Sequence, residues 1–381
     1  MIRERLKVMP EIFPIGRPAA DGDVVDRQEF IRECTMRLAD GQSVMIASPR
    51  RTGKSSVAGE IMRQLRGQEY GTAAVDLFYV TSIEELAVKL LSSLLENRTG
   101  TYQKTVRSLR GLQEWLNHTT WHAKLGDLEL GLTLTAATLD PLVLLETAIK
   151  AAERLAQSQG RRMIILFDEF QEIERLGGES LAKRLRALFQ QQRATAYLFL
   201  GSQPSLMKAI FADRRQAFYR FATLLPLPAI DDAAWKQYLT ERFSAFGFTI
   251  TPSALEWLLE KSGGHPYGVM NLAYNAYFLA RVQNFPTISA DLMFSAFRKT
   301  LDTLGPVYNA LWIELHRIPH ADAVLEAIIA QQSPYRLPLS KTVVSRALRA
   351  LIRSSILEKG AERGQYHLIE PLFKEWVIQR E

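Results

Sequence analysis

Residues 48–55 read Ser-Pro-Arg-Arg-Thr-Gly-Lys-Ser, with the apolar run SVMIASP (43–49) leading in and an amphipathic run over 57–67 leading out. The spacing is that of the phosphate loop, GxxxxGK[ST], with Ser48 where glycine is usual. The setting predicted around it is strand, loop, helix. That setting supplies the physics, because loop N–H groups and a helix N-terminus present partial positive charge to phosphate oxygens. Ser48, Pro49, Arg50, Arg51, Thr52, Gly53, Lys54, Ser55 and Ser56 are therefore the candidate nucleotide-binding residues. Gly53 permits close backbone approach, Lys54 can bridge β- and γ-phosphates, and the Ser55 hydroxyl can ligate Mg²⁺. Serine at 48 is compatible with this as long as its φ stays negative. Arg50 and Arg51 read either as phosphate-facing groups or as solvated loop charges.

A phosphate loop needs a second strand that brings a carboxylate to the metal. RMIILFD (162–168) is the most apolar short run in the chain and ends on Asp168, with Glu169 next. Asp168 is the candidate Mg²⁺ ligand beside Ser55, and Glu169 the candidate base that orients and deprotonates an attacking water. Glu172 is a weaker candidate for that role. A following apolar strand, AYLFLGS (196–202), should end beside the acidic strand, so that Ser202 or Gln203 faces the γ-phosphate. The alternative is a simple helix N-cap by Ser202 or Ser205.

Working outward, TAAVDLFYV (72–80) and TLLPLPAI (223–230) read as further strands, and 83–96, 141–159 and 179–192 as helices. The period-two stretch DLELGLTLTAATL (127–139) predicts an inserted strand or hairpin. Strands alternating with helices over about 45–230 imply a doubly wound parallel α/β layer, while 231–310 reads all-helical. The last segment has a third character: helix 321–332, the loop SPYRLP (333–338), helix 340–354, then strand, turn and strand in ILEKGAERGQYHLIEP (356–371). Helix, helix and hairpin are the pattern of a winged helix. The expected domains are 1–230, 231–315 and 316–381.

Composition narrows the function classes. With 381 residues, 47% apolar and 23% charged, the chain has the balance of a multidomain globular protein. A net charge of +6 permits an acidic partner without demanding one. The single cysteine, Cys34, has no disulfide partner in the chain and reads as a small buried residue of a protein from a reducing compartment. The N-terminal residues show no export signal, and no run approaches the roughly 18 apolar residues of a membrane span. A cytoplasmic protein with no membrane contact is the expectation. His118 and His122 have the spacing of a helical zinc pair, but Thr119 stands where the catalytic glutamate would be, so no zinc site is expected. In the terminal module, Lys341, Arg346, Arg349 and Arg353 fall opposite Val344, Leu348 and Leu351 on one helix. Residues 318–381 hold nine Lys and Arg against seven Asp and Glu, a small surplus for a DNA-binding face. DNA and protein contact both stay open.

Taken in order, VVDRQEF (24–30), SPRRTGKSS (48–56), ILFDEFQEI (165–173), LFLGSQPSLM (198–207), FYRFATLLPLP (218–228), GGHPYGV (263–269) and YHLIEPLFKEWV (366–377) carry a resemblance over nearly the whole chain. The chain resembles the archaeal-type AAA ATPases of the signal-transducing (STAND) branch, relatives of the origin-recognition ATPases. The resemblance implies an α/β P-loop NTPase of AAA type with a helical lid and a C-terminal winged helix. It implies Mg-ATP as cofactor and an ATP-hydrolysing switch that couples nucleotide state to a DNA or protein client and to homo-oligomer formation. It places Arg27 by the nucleotide base, His265 and Pro266 over the adenine, and Arg220 where it can reach a neighbouring subunit's γ-phosphate. Plainer readings are that Arg220 pairs with an acid and that GGHP is a helix-breaking turn. The chain departs from the pattern at Ser48 and in lacking an obvious lid arginine. A nucleotide-holding DNA-binding regulator with little turnover is the main rival, and the long lid and winged helix argue against a small-molecule kinase.

Overall fold

The structure, a computed structural model, describes residues 11–19, 21–96, 140–360 and 364–380. The expected hairpin at 127–139 and the pair His118 and His122 lie outside the described residues. Contacts divide the chain into two compact units. The sheet unit comprises Gln28–Pro49 and Lys54–Pro228; the helical unit comprises the described residues before Gln28, the loop tip Arg50–Gly53, and the chain from Ala229 onward.

The sheet unit is built on β1 (Val44–Ala47), β2 (Gly71–Asp76), β3 (Met163–Asp168), β4 (Thr195–Gly201) and β5 (Thr223–Pro226). All neighbouring pairs are parallel, in the order β2-β3-β4-β1-β5. Each residue of β4 is buried, as a parallel strand covered on both faces requires. This explains why the interior strands appear in the sequence as continuous apolar runs. Helices α1 (Gln28–Ala39), α2 (Lys54–Gly67), α3 (Ile83–Glu96), α4 (Pro141–Gln159), α5 (Ile173–Gln190) and α6 (Pro204–Ala212) complete the unit among the described residues.

Two expectations need correction here. The strand read over 72–80 stops at Asp76, whose carboxylate accepts a hydrogen bond from Phe78 N at 2.9 Å and turns Leu77–Tyr79 into a 3-10 helix. Phe78 and Tyr79 are exposed, so their preference for strands is overridden by this local cap. Helix α5 starts at Ile173 rather than 179, and Gly178 breaks its regularity with φ 57° and ψ −148°.

Aromatic rings hold the sheet to its helices. Phe167 on β3 and Phe199 on β4 are register partners with ring centroids 6.1 Å apart, and Phe170, Phe189, Tyr197, Phe211 and Phe218 close around them. Burial of each large apolar side chain stabilises the fold by about 1.5–3 kcal/mol. Cys34 is buried as a free thiol, and burial pushes its pKa up to about 12.

The helical unit contains α7 (Asp232–Ala245), α8 (Pro252–Ser262), α9 (Pro266–Gln283) and α10 (Ala290–His316). Side-chain N-caps by Asp231, Thr251 and Ser289 start three of them. The region read as all-helical also holds a short parallel pair, β6 (Thr249–Ile250) with β7 (Thr287–Ile288). Phe13 is buried in this unit, its ring 5.3 Å from that of Phe243. The chain continues through α11 (Ala321–Ile329), α12 (Lys341–Arg353), the antiparallel β8 (Leu357–Lys359) and β9 (Tyr366–Leu368), and α13 (Pro371–Arg380). The helix, helix and hairpin order expected from the sequence is present, followed by one further helix. On α12, Val344, Leu348 and Leu351 are buried while Lys341, Arg346, Arg349 and Arg353 are exposed. Among the described residues, no helix is long and apolar enough to cross a membrane.

Candidate functional site

The phosphate loop leaves β1 at Ser48, whose N–H donates to Gly201 O at 3.2 Å and extends the pairing with β4. Ser48 is not among the residues with positive φ, so serine fits where glycine is usual. The loop makes its turn through Arg51 and Gly53, at φ 65° and 89°. A Cβ at Gly53 would meet nothing within 4 Å, so glycine is needed there for its backbone conformation alone. Lys54 then opens α2 and is only 5% exposed.

Arg51 is engaged by protein groups of the helical unit. Its Nη1 donates to the Glu370 carboxylate at 2.8 and 3.1 Å, and its guanidinium lies 4.4 Å from the Tyr267 ring centroid. The Tyr308 hydroxyl donates to the same carboxylate at 3.4 Å. His265 sits at the N-cap of α9 ahead of Pro266, and its enclosed Nε2 has no hydrogen-bond partner among the described residues. Burial, reinforced by the Arg51 charge, lowers its pKa to about 4, so the ring is neutral at pH 7. Arg27 is buried and donates from Nη1 to Ala229 O at 3.1 Å.

The sheet unit gathers the remaining groups. Ser55 Oγ donates to Asp168 Oδ2 at 3.3 Å across the ends of α2 and β3. Burial pushes the Asp168 carboxyl above the usual carboxylate range; Lys54 opposes this and the Glu169 charge adds to it. Glu169 takes the left-handed conformation, φ 52° and ψ 46°, uncommon for a residue with a side chain. Its Oε2 accepts from Ser202 N at 3.1 Å, Ser202 Oγ at 2.6 Å and Gln171 Nε2 at 2.5 Å. Its Oε1 lies 4.0 Å from Lys54 Nζ. Burial pushes the Glu169 carboxyl up, but Lys54 and these donors outweigh it, and the pKa falls below the ordinary value. Ser202 is fully buried with its hydroxyl on Glu169, whereas Gln203 holds the N-cap position of α6 without a side-chain cap bond. Glu172 is paired with Arg175 at 3.0 Å.

Ser55 and Asp168 offer two hard oxygens, the donor type that Mg²⁺ prefers. Among the described residues, no cluster of three or more His, Cys, Asp and Glu is placed to hold a metal by itself. The donor set therefore fits a cation that completes its shell from phosphate oxygens and water.

Arg220 stands elsewhere on this unit, with φ 53° and its N–H on Phe211 O at 3.0 Å. It lines a cleft of about 490 Å³ with Gly41, Ser43, Gln192, Thr195 and Thr223. Thr195 and Thr223 begin strands, whereas Asp168 and Ser202 stand where strands finish. In a parallel sheet these are opposite ends, so Arg220 does not share an end with its own chain's acid pair. Gln171, absent from the sequence-based set of candidates, lies inside the polar cluster. Its position two residues past the acid pair carried no periodic signal that would mark it.

No protein-family model matches the chain, and no curated protein matches it. Solved structures do. The Walker-type ATPase PABY2304 of Pyrococcus abyssi is 17% identical with a TM-score of 0.71, over 97% of this chain and 100% of that one. The Aeropyrum pernix ORC2 protein, in its ADPNP-ADP complexes, is 14% identical with a TM-score of 0.58, over 97% and 96% of the two chains. The Aeropyrum pernix ORC1 protein, in complex with DNA, is 14% identical with a TM-score of 0.51, over 94% and 93%. At these identities the likeness is one of fold: the chain has the P-loop NTPase fold shared by archaeal Walker-type and origin-recognition ATPases.

Proposed function

We propose that this protein binds and hydrolyses ATP with Mg²⁺ and acts as a molecular switch, its nucleotide state governing what the C-terminal winged-helix segment contacts. The observation that carries the reading is the convergence of Lys54, Ser55, Asp168 and Glu169 at the ends of β1 and β3. Lys54 offsets phosphate charge from a buried position, where a cation acts more strongly than in water. Ser55 and Asp168 would hold Mg²⁺, which when bound neutralises charge on the phosphates. Glu169, kept ionised, accepts the proton of the attacking water through Oε1, and Ser202 steadies it. Arg27, His265 and Pro266 are proposed for the base side of the nucleotide, and Arg220 for a neighbouring subunit's phosphate. Segments 1–230, 231–315 and 316–381 would serve as ATPase, lid and winged helix. Membership of the signal-transducing branch and a cytoplasmic location belong to the same proposal.

The test is phosphate release by the full chain with Mg²⁺ and with chelator, together with nucleotide affinity. Asp168→Asn should lose Mg²⁺-dependent ATP binding. A variant that binds and hydrolyses as the wild type does would remove Asp168 from the site.

The exposed cations of α12 favour a second reading, a nucleotide-holding regulator that binds DNA with little turnover. Neutralising Arg346, Arg349 and Arg353 together should then weaken DNA binding and flatten its salt dependence by about 0.9 per lost phosphate contact. A wild type that ignores duplex DNA at low salt leaves a protein client as the partner.

A further inference from the structure

Glu169 is followed by a single 3-10 turn, Phe170–Glu172. Phe170 drives its ring into the aromatic core, 4.6 Å from Phe199, and this anchor brings Gln171 back under the carboxylate that precedes it. Gln171 is only 4% exposed. Its Nε2 donates to Glu169 Oε2 and lies 3.5 Å from Ser202 Oγ. The opposite amide orientation would set a carbonyl oxygen against a carboxylate oxygen, two acceptors facing each other, so the contact itself selects the orientation. The consequence is unfavourable elsewhere: Gln171 Oε1 is enclosed and has no hydrogen-bond partner among the described residues. The amide lies tight against β4, where a Cβ at Gly201 would come within 2.8 Å of that oxygen and 2.2 Å of Met207 Cγ.

A buried amide with one end unsatisfied is a poor choice for packing, since an apolar side chain of similar volume would fill the space without an orphaned acceptor. Local costs of this kind collect at functional sites. The compensating contact is to Glu169. Two donors from Ser202 approach Oε2 from the next strand, and Gln171 approaches the same oxygen from the base's own turn. With three donors on Oε2, the remaining acceptor capacity of the carboxylate is on Oε1, which faces Lys54. A general base works only if its lone pair is held in one direction within reach of the proton it takes.

We propose that Gln171 is the positioning residue of the hydrolytic base, clamping Oε2 of Glu169 so that Oε1 alone is presented to water. The proposal rests on the reading of Glu169 as that base.

The experiment uses the full-length chain and measures phosphate release alongside affinity for a fluorescent ATP analogue. Gln171→Met and Gln171→Leu keep volume and remove the donor. Each should lower kcat by about ten- to a hundredfold, the scale for losing an orienting partner. KM and analogue affinity should stay within about twofold, because the contact is not to nucleotide. In a Glu169→Gln background the same substitutions should lower turnover no further, since the group being positioned is already gone. The proposal is overturned if Gln171→Met keeps wild-type kcat, or if it lowers turnover equally in both backgrounds, as a general packing role would. Wild-type turnover unchanged by Glu169→Gln alone would overturn the base assignment and the proposal with it, an outcome visible before any Gln171 variant is made.

Discussion

The two ends of the parallel sheet use their polar groups in opposite ways. Where strands finish, Ser55, Asp168, Glu169, Gln171 and Ser202 are bonded to one another, with Lys54 beside them. Where strands begin, the Glu153 carboxylate braces the start of β4, accepting from Arg193 N at 2.8 Å, Ala194 N at 2.9 Å and Thr195 Oγ1 at 2.7 Å. Beside that brace lies the open cleft lined by Arg220, whose guanidinium lies 5.1 Å from the Tyr219 ring centroid and, among the described residues, forms no ion pair with a carboxylate. At one end Oε2 of Glu169 is saturated with donors while Oε1 faces Lys54; the other end presents an exposed arginine on the rim of a cleft. Chemistry needs preorganised groups, while contact with another molecule needs groups whose interactions are not already spent on the fold.

The sharpest way to break this contrast is Arg220→Ala. If the amino end of one sheet serves the carboxyl end of a neighbour's, turnover should fall by about 10³–10⁵, the range for an arginine acting on a transferring phosphoryl group. Mixing Arg220→Ala chains with Lys54→Ala chains should then partly restore activity. Turnover per chain that is independent of concentration and unchanged in Arg220→Ala would leave the two ends functionally unconnected.

Within the closed end, Glu169→Gln should slow hydrolysis by about 10²–10⁴ while ATP stays bound. Equal single-turnover rates for variant and wild type would show that the network holds nucleotide without using this base. Lys54→Ala should weaken ATP binding by about 1.5–3 kcal/mol, the usual worth of a charge-assisted hydrogen bond, with folding preserved. Calorimetry showing unchanged affinity would take Lys54 out of the phosphate site.

The smallest effect is expected at the brace. Glu153→Gln should lower stability by about 1 kcal/mol, a value reduced because the carboxylate is half-exposed and screened by solvent. Burial pushes its carboxyl up, but the backbone donors of Arg193 and Ala194 and the Thr195 and Gln157 side chains outweigh that and lower the pKa. A depressed folded-state pKa contributes stability above the unfolded carboxyl's value and loses it as pH falls through the folded value. Thermal unfolding of the wild type should therefore decline more steeply in acid than that of the variant. Parallel curves would mean that the brace is worth nothing measurable.

Much of this was legible from local pattern. The segments 43–49, 162–168 and 196–202 announce buried parallel strands because both faces are covered, and each observed strand lies within about one residue of its expected start. The Lys54, Ser55, Asp168 and Glu169 set follows from strand-end chemistry. The 72–80 strand failed because one side-chain cap at Asp76 outweighs the strand preference of two exposed aromatics. Local pattern leaves Arg51 open between phosphate and solvent, because its partners Glu370 and Tyr267 lie hundreds of residues away along the chain.

The sequence by itself determined the phosphate loop, the acidic strand end, the α/β layer followed by helices, and the amphipathic face of α12, since each depends on spacing within a few turns of chain. Only the tertiary structure decided the strand order that sets β4 between β3 and β1, the contact of Ser202 rather than Gln203 with Glu169, the place of Gln171 under the Glu169 carboxylate, and the end of the sheet on which Arg220 stands. Those depend on which distant segments pack together, and hydrogen bonds to a buried carboxylate come from whichever donors the packing brings within about 3 Å, not from neighbours in the chain.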